Sequence, residues 1–315
     1  GAGALTGILT QLDDRTLLLS IDFEDWQQLA LRRAGVAGWD SPNPAFVRQV
    51  DAVLGFLDEI DAKATFFLLG LTAKNYPHVV EKVLARGHDT ASHGFGHQRA
   101  FLQTPDEFRA DVEQSIAVIK ELTGRAPSGY RAPAFSVNRD CVWAYPILCE
   151  LGFAWDSSQY DSARIPRRLG AIPRSPYTLA LPGGGRLLEL PIAVLPAARG
   201  VSLPVGGGTY WRVLPGSVVE RALRRSEAPV ALYFHPYEFD PERLRARLPE
   251  GSSAKQQARV RLRSARASPG RGRLRASLRR VAREFRLASY AQEIDTVRSR
   301  YGGCTPALSE DGDLG

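Results

Sequence analysis

Two imidazoles stand four residues apart in Ser92-His93-Gly94-Phe95-Gly96-His97, and they are two of only five histidines in the chain. If this segment makes one helical turn, an i,i+4 spacing aims both rings the same way. Imidazole is the commonest metal ligand and suits Zn, Co, Ni or Fe. A second cluster, Ser20-Ile21-Asp22-Phe23-Glu24-Asp25-Trp26, sets three carboxylates at the end of an apolar run. One of them with His93 and His97 makes a two-histidine, one-carboxylate set, which leaves metal positions open for water and substrate. A second carboxylate then serves as general base on a water that the metal acidifies toward about pKa 7. Strand alternation favours Glu24 as the ligand, and residue type favours Asp25. Arg131, in Gly129-Tyr130-Arg131-Ala132-Pro133-Ala134-Phe135, is placed to pair with the basic carboxylate and fix its orientation. His235 lies in the aromatic run Tyr233-Phe234-His235-Pro236-Tyr237, where burial and a nearby acid can tune it as a general acid.

These groups need elements to hold them. Thr16 to Phe23 and Ala64 to Leu69 read as buried strands, and His88 to Ser92 as a short strand leading into the histidine pair. Phe46, Val50, Val53, Leu54, Leu57 and Ile60 have helical spacing, and Val79 to Ala85 is a helix stopped by Gly87. Thr104-Pro105-Asp106-Glu107 starts a helix that runs through Leu122 to a stop at Gly124. Tyr130 to Phe135 is strand-like with a proline break, Cys141 to Leu151 helical and Phe153 to Ser157 a strand. Leu187 to Ile192 and Val230 to Phe234 are further apolar runs. Strands alternating with helices imply parallel βαβ units. About six or seven such units before residue 240 predict an α/β fold, an irregular (β/α) barrel of about seven strands. Asp22, His93, Arg131, Asp156 and His235 then fall at C-terminal strand ends, where barrels build active sites.

The net charge of +7 is concentrated near the C-terminus: residues 243–300 hold 17 Lys/Arg against 4 Asp/Glu. We expect an N-terminal segment over 1–15, a barrel over 16–240, a basic helical extension packing on it over 241–300 and a disordered tail over 301–315. Leu274, Leu278, Val281 and Phe285 give the extension an apolar edge. Its arginines would cap the barrel or meet an anionic membrane surface. No nucleic-acid module accompanies the charge. Cys141, Cys149 and Cys304 form no Cys-x-x-Cys pair and read as unpaired structural thiols. The composition is globular, with mean hydropathy −0.21. With no secretory signal or membrane span visible, a cytoplasmic site or a peripheral one on the inner membrane is expected.

Taken in order, these motifs resemble the polysaccharide deacetylases of carbohydrate esterase family 4. The resemblance runs over roughly residues 15 to 240 and implies that Asp22 is the catalytic base, His93 and His97 are metal ligands, Arg131 orients the base and His235 is the acid. Trp155-Asp156-Ser157-Ser158 matches the family's fourth motif. On this resemblance Trp26, Tyr130, Pro133, Phe135 and Asp156 are expected to bind substrate. In the family a metal-binding aspartate directly follows the base; here two residues separate Asp22 from Asp25 and Glu24 intervenes, so the carboxylate ligand is Glu24 or Asp25. SIDFEDW, SHGFGH, GYRAPAFSV, PVGGGTYWRVLP and YFHPYEFDP are similar to bacterial exopolysaccharide-locus deacetylases, some associated with exosortase systems, whose C-terminal extension would cover Pro204 to about Tyr290. Gly206-Gly207-Gly208 is then a family loop and no phosphate cradle. The implied activity is metal-dependent N-deacetylation, with zinc the leading ion and N-acetylhexosamine units of an exopolysaccharide or its lipid-linked precursor as substrate. Two other readings are open. One is hydrolysis of another C–N amide, as in allantoinase-like or cyclic-imide hydrolases; the other is a non-catalytic barrel that binds polysaccharide or membrane. Oligomeric state is not legible.

Overall fold

The computed structural model describes residues 15–303 except 163–164, 197–201 and 227–228, together with 305–309, 312 and 314. Every residue of the first strand, β1 (Thr16–Phe23), is buried, so its neighbours must cover both faces. The chain then alternates: α1 (Trp26–Ala34), α2 (Pro44–Glu59), β2 (Thr65–Leu68), α3 (Gly70–Asn75), α4 (Pro77–Ala85), β3 (Asp89–Ser92), α5 (Pro105–Thr123), β4 (Gly129–Tyr130), α6 (Ala144–Glu150) and β5 (Trp155–Asp156). A hairpin of β6 (Tyr177–Ala180) and β7 (Arg186–Glu189) follows, then a small antiparallel pair, β8 (Leu195–Pro196) and β9 (Ser202–Leu203). Last come α7 (Gly208–Val213), α8 (Gly216–Arg224), β10 (Val230–Phe234), α9 (Ala254–Ala267), α10 (Arg271–Glu284), β11 (Arg286–Ala288) and α11 (Tyr290–Tyr301). Local signals set the helix ends. Asn43 caps α2 ahead of Pro44, and Thr104 and Glu107 form a capping box on α5, which Gly124 ends at φ 76°.

Seven strands make the barrel. The order β10-β1-β2-β3-β4-β5-β7 is parallel throughout, and β6 lies antiparallel outside β7. Closure comes from the chain just beyond β7. Ala193 N donates to Ala231 O at 3.0 Å, and Ala231 N donates to Pro191 O at 3.1 Å. Period-2 alternation sends one set of residues inward: Leu18, Ser20 and Asp22; Phe67; Ala91; Trp155; Leu188; Ala231. The apolar members of this set pack with Tyr290 as one buried cluster. The opposite parity packs against the helices, where β1, β2 and β10 share a core with α2, α4, α8 and α10.

The expected elements are present, with four differences. The histidine segment is a loop and not a helical turn, with Gly94 at φ 71° and His97 at φ 53°. The run after Tyr130 leaves the sheet at once, and Pro133–Phe135 is a 3-10 turn with Ala134 and Phe135 at positive φ. The basic extension enters the barrel sheet, since β11 pairs with β1 in parallel, Thr16 opposite Arg286. The described part of the expected disordered tail is docked: Ala307 bridges Ala180, and Leu308 is buried. The expected segment 1–15 and Cys304 lie outside the described residues, Arg15 apart. Cys141 and Cys149 are free thiols. No helix among the described residues is long and apolar enough to cross a membrane.

Candidate active site

Asp22 sits at the mouth end of β1, 2% exposed, where a lone carboxylate would be costly. Arg131 offsets that cost. Its Nη1 donates to Asp22 Oδ1 at 2.7 Å and to Ser20 Oγ at 2.8 Å. Its Nε donates to Ser157 O, and its Nη2 to Ser157 Oγ and to the Tyr290 hydroxyl at 2.8 Å. Every guanidinium N–H therefore has an acceptor. The guanidinium carbon also lies 3.8 Å from the centre of the Phe67 ring. Tyr290 comes from the C-terminal extension, which thus completes the seat of Asp22.

Glu24 continues the inward parity of Asp22 just past the strand. Its Oε1 lies 2.7 Å from His93 Nε2 and 2.9 Å from His97 Nε2. His93 Nδ1 is 2.8 Å from Arg131 O, a carbonyl that can only accept, so Nδ1 carries a proton and Nε2 is the nitrogen turned to Glu24. Two imidazole nitrogens aimed at one carboxylate oxygen require protons or a cation between them. Burial works to raise the pKa of Glu24, but the His97 charge and hydrogen bonds from both imidazoles outweigh it and hold the carboxyl well below its usual range. The ligand atoms of Glu24, His93 and His97 lie within 4.8 Å of one another, as do those of Asp22, Glu24 and His235. These donors fit a divalent ion of the kind that accepts mixed nitrogen and oxygen ligands.

Asp25 is not part of this cluster. It caps α1, accepting from Gln27 N at 2.9 Å, from Asn43 Nδ2 at 3.2 Å and from the Tyr76 hydroxyl at 2.8 Å. Its parity turns it away from Glu24, so of the two carboxylates considered Glu24 alone meets the histidines.

His235 closes the site from β10. Its Nε2 lies 3.7 Å from Glu24 Oε2 and its Nδ1 3.4 Å from Glu238 Oε2. Burial lowers its pKa, but the Glu238 hydrogen bond and the Glu24, Glu238 and Asp22 charges win and push it up to about 9. Tyr237 stacks on its ring at 5.7 Å. Arg212 Nε holds Glu238 at 2.9 Å. Gly206, Gly207 and Gly208 let the chain come this close: a Cβ on Gly208 would lie 2.2 Å from Glu238 Oε2, and one on Gly207 2.5 Å from the Tyr233 hydroxyl.

Asp22, Glu24, His93, His97 and His235 line one cleft of about 750 Å³, along with Trp26 and Phe135. Three expected substrate contacts do not reach it. Tyr130 and Asp156 have the opposite strand parity to Arg131 and Ser157 and point into the helix layer. Tyr130 packs on Phe108 and Phe153. Asp156 receives the Ser158 hydroxyl at 2.7 Å and faces Glu189, which burial and the Asp156 charge hold well above the usual carboxyl range. Pro133 is buried behind Gly94. Sequence reasoning did not single out Asp111, Tyr290 or Glu238. Asp111, on α5, fixes the histidine loop by accepting from Phe95 N and Gly96 N, each at 2.8 Å. Glu238 carried a usable signal, an acid three residues beyond His235.

A family model described as polysaccharide deacetylase matches residues 39–147, and one described as a domain of unknown function (DUF3473) matches residues 160–294. Residues 39–147 are thus similar to the polysaccharide deacetylases. It is 31% identical over 94 residues to a peptidoglycan-N-acetylglucosamine deacetylase of Bacillus cereus, 30% of this chain and 33% of that protein. It is 27% identical over 136 residues to a peptidoglycan deacetylase of Helicobacter pylori, 39% of this chain and 45% of that protein. Against chitin deacetylase 1 of Saccharomyces cerevisiae the figures are 30% over 125 residues, 39% of this chain and 38% of that protein. The chain thus spans less than half the length of these curated relatives. A crystal structure from Mycobacterium smegmatis assigned to the polysaccharide deacetylases superposes with TM-score 0.57 at 22% identity, covering 92% of both chains. That likeness shows the fold: a mostly parallel (β/α)-barrel.

Proposed function

We propose that the chain is a metal-dependent N-deacetylase that removes acetyl groups from N-acetylhexosamine units of a bacterial exopolysaccharide or its lipid-linked precursor. The observation that carries this reading is the meeting of three groups in one cleft: Glu24 with His93 and His97, Asp22 locked by Arg131, and His235 backed by Glu238. Glu24, His93 and His97 would hold the ion, zinc being the leading candidate. When bound, a divalent ion supplies Lewis-acid polarisation of the amide carbonyl and acidifies water. Asp22 takes the proton of the attacking water, and Arg131 keeps that carboxylate aimed. His235, protonated beside Glu238, returns a proton to the departing nitrogen. Water and acetamide thus become acetate and a free amine. Trp26, Tyr237 and Phe135 offer apolar faces to a sugar ring. The cleft adjoins a second groove of about 290 Å³ past His97, lined by Arg99 and Leu102, which suits a polymer better than a small ureide or imide.

The test is metal analysis joined to acetate release from N-acetylated oligosaccharides. We expect one bound divalent ion per chain and catalysis in the wild type. A His93→Ala/His97→Ala variant should lose both, with activity down at least about a hundredfold. Full acetate release by a metal-free double variant would overturn the reading.

A further inference from the structure

The arginines of the C-terminal extension divide into two groups. Five of the six on α10, all but Arg283, are engaged within the molecule. Arg279 pairs with Glu59, Arg280 with Glu220, and Arg271 donates to the carbonyls of Tyr237, Asp240 and Glu242. Those of α9 are not. Arg259, Arg263 and Arg266 line the active-site cleft together with Arg33 of α1, and none of the four makes an ion pair with a described carboxylate. Neither helix contains an acid. Val260 anchors α9 onto Leu31, Ala34 and Val36, so the two helices present their guanidiniums side by side. Partial burial, with the neighbouring charges of Arg33 and Arg266, lowers the pKa of Arg263. Arg33 also borders the second groove past His97, with Arg32 and Arg99. The wall therefore flanks the reacting position and continues beyond it.

We infer that this arginine wall binds an anionic group of the substrate, a carboxylate or phosphate carried close to the sugar that is deacetylated. Guanidinium forks match both oxyanions in geometry and charge, and an anion there would relieve the repulsion among Arg33, Arg263 and Arg266. This rests on the deacetylase reading of the cleft. Among the glycans that reading allows, it selects those with uronic acid residues or a glycosyl phosphate linkage. Leu262, 51% exposed between the arginines, adds an apolar contact beside them.

The experiment compares three N-acetylated probes on the full chain: a neutral N-acetylglucosamine oligomer, an oligomer of equal length with alternating glucuronate, and N-acetylglucosamine carrying a pyrophosphate ester. Calorimetric binding and acetate release are both read, at low and at 0.5 M salt. We expect at least one anionic probe to bind about tenfold more tightly than the neutral one at low salt, with the gap shrinking at high salt. The carboxylate and phosphate arms identify which anion is preferred. In an Arg259→Gln/Arg263→Gln/Arg266→Gln variant, the preference should vanish while the neutral oligomer binds as before. Equal binding of neutral and anionic probes overturns the inference, as does binding of the wall to anionic phospholipid vesicles with no preference among glycans. Anionic preference without acetate release from any probe would leave the wall standing and overturn the deacetylase reading instead.

Discussion

At the scale of single residues, the site depends on satisfying one buried guanidinium. Arg131 is wholly buried, and its value to Asp22 rests on having an acceptor for each N–H. Tyr290→Phe removes one acceptor and leaves ring packing on Trp155 and Phe67 in place. We expect a loss of about 1–3 kcal/mol in urea denaturation and a fall in kcat with little change in KM, because Asp22 loses rigidity and not substrate contact. Unchanged stability would show that Arg131 finds its fifth acceptor elsewhere. Residue chemistry also explains the choice between Glu24 and Asp25. Both were legible as acids at a strand end. Only the N-cap of α1, with its donors from Asn43 and Tyr76, shows why Asp25 is engaged elsewhere.

At the scale of elements, close contacts between strands impose glycine. A Cβ on Gly129 of β4 would lie 1.9 Å from Trp155 of β5, whose ring stacks on Tyr290. Gly129→Ala should therefore cost about 1–3 kcal/mol or more through overpacking, read as a lower Tm. Gly55, inside α2 with nothing within 4 Å of its Cβ position, is the contrast. Gly55→Ala should raise stability by about 0.5–1 kcal/mol. Equal effects of the two changes would contradict the packing described for β4 and β5. The β2–β3 edge carries a pH response. His88 Nδ1 accepts from Ala64 N at 3.2 Å, and burial, with Lys63 nearby, lowers its pKa from 6.5 to about 4. Below 6.5 the unfolded chain binds this proton more readily than the folded one. Stability is thus full above 6.5 and declines as pH falls toward about 4. His88→Gln, which keeps an acceptor, should show a shallower loss of denaturation midpoint between neutral and acid pH; an identical slope would remove His88 as the cause.

At the scale of the whole molecule, barrel and extension are one structure. The two family matches meet between residues 147 and 160, inside the ring, and neither range contains β1. β11 pairs with β1, α10 buries Leu274, Leu278 and Val281 in the main core, and Tyr290 reaches Arg131. The extension is therefore no detachable module. A chain ending at Glu284 exposes the side of β1 that β11 covers and leaves Arg131 short of an acceptor. We expect it to unfold without cooperativity or to aggregate, read by calorimetry and gel filtration. A folded, metal-binding truncated chain would refute this view.

The sequence by itself determined the strand and helix order, the parallel barrel, the histidine pair, and Asp22, Arg131 and His235 at strand ends. These follow from local signals: apolar runs, caps, glycine stops and motifs read along the chain. The tertiary structure alone decided that Glu24 meets the histidines, that a loop held by Asp111 brings them together, and that Tyr130 and Asp156 face away from the cleft. It also decided that Tyr290 and the α9 arginines, more than 120 residues beyond the Arg131 motif, belong to the site. The reason is physical. Strand parity fixes which side chains share a face, but where a strand ends, and what distant chain packs beneath or beside it, depends on long-range contacts that leave no periodic signal in the sequence.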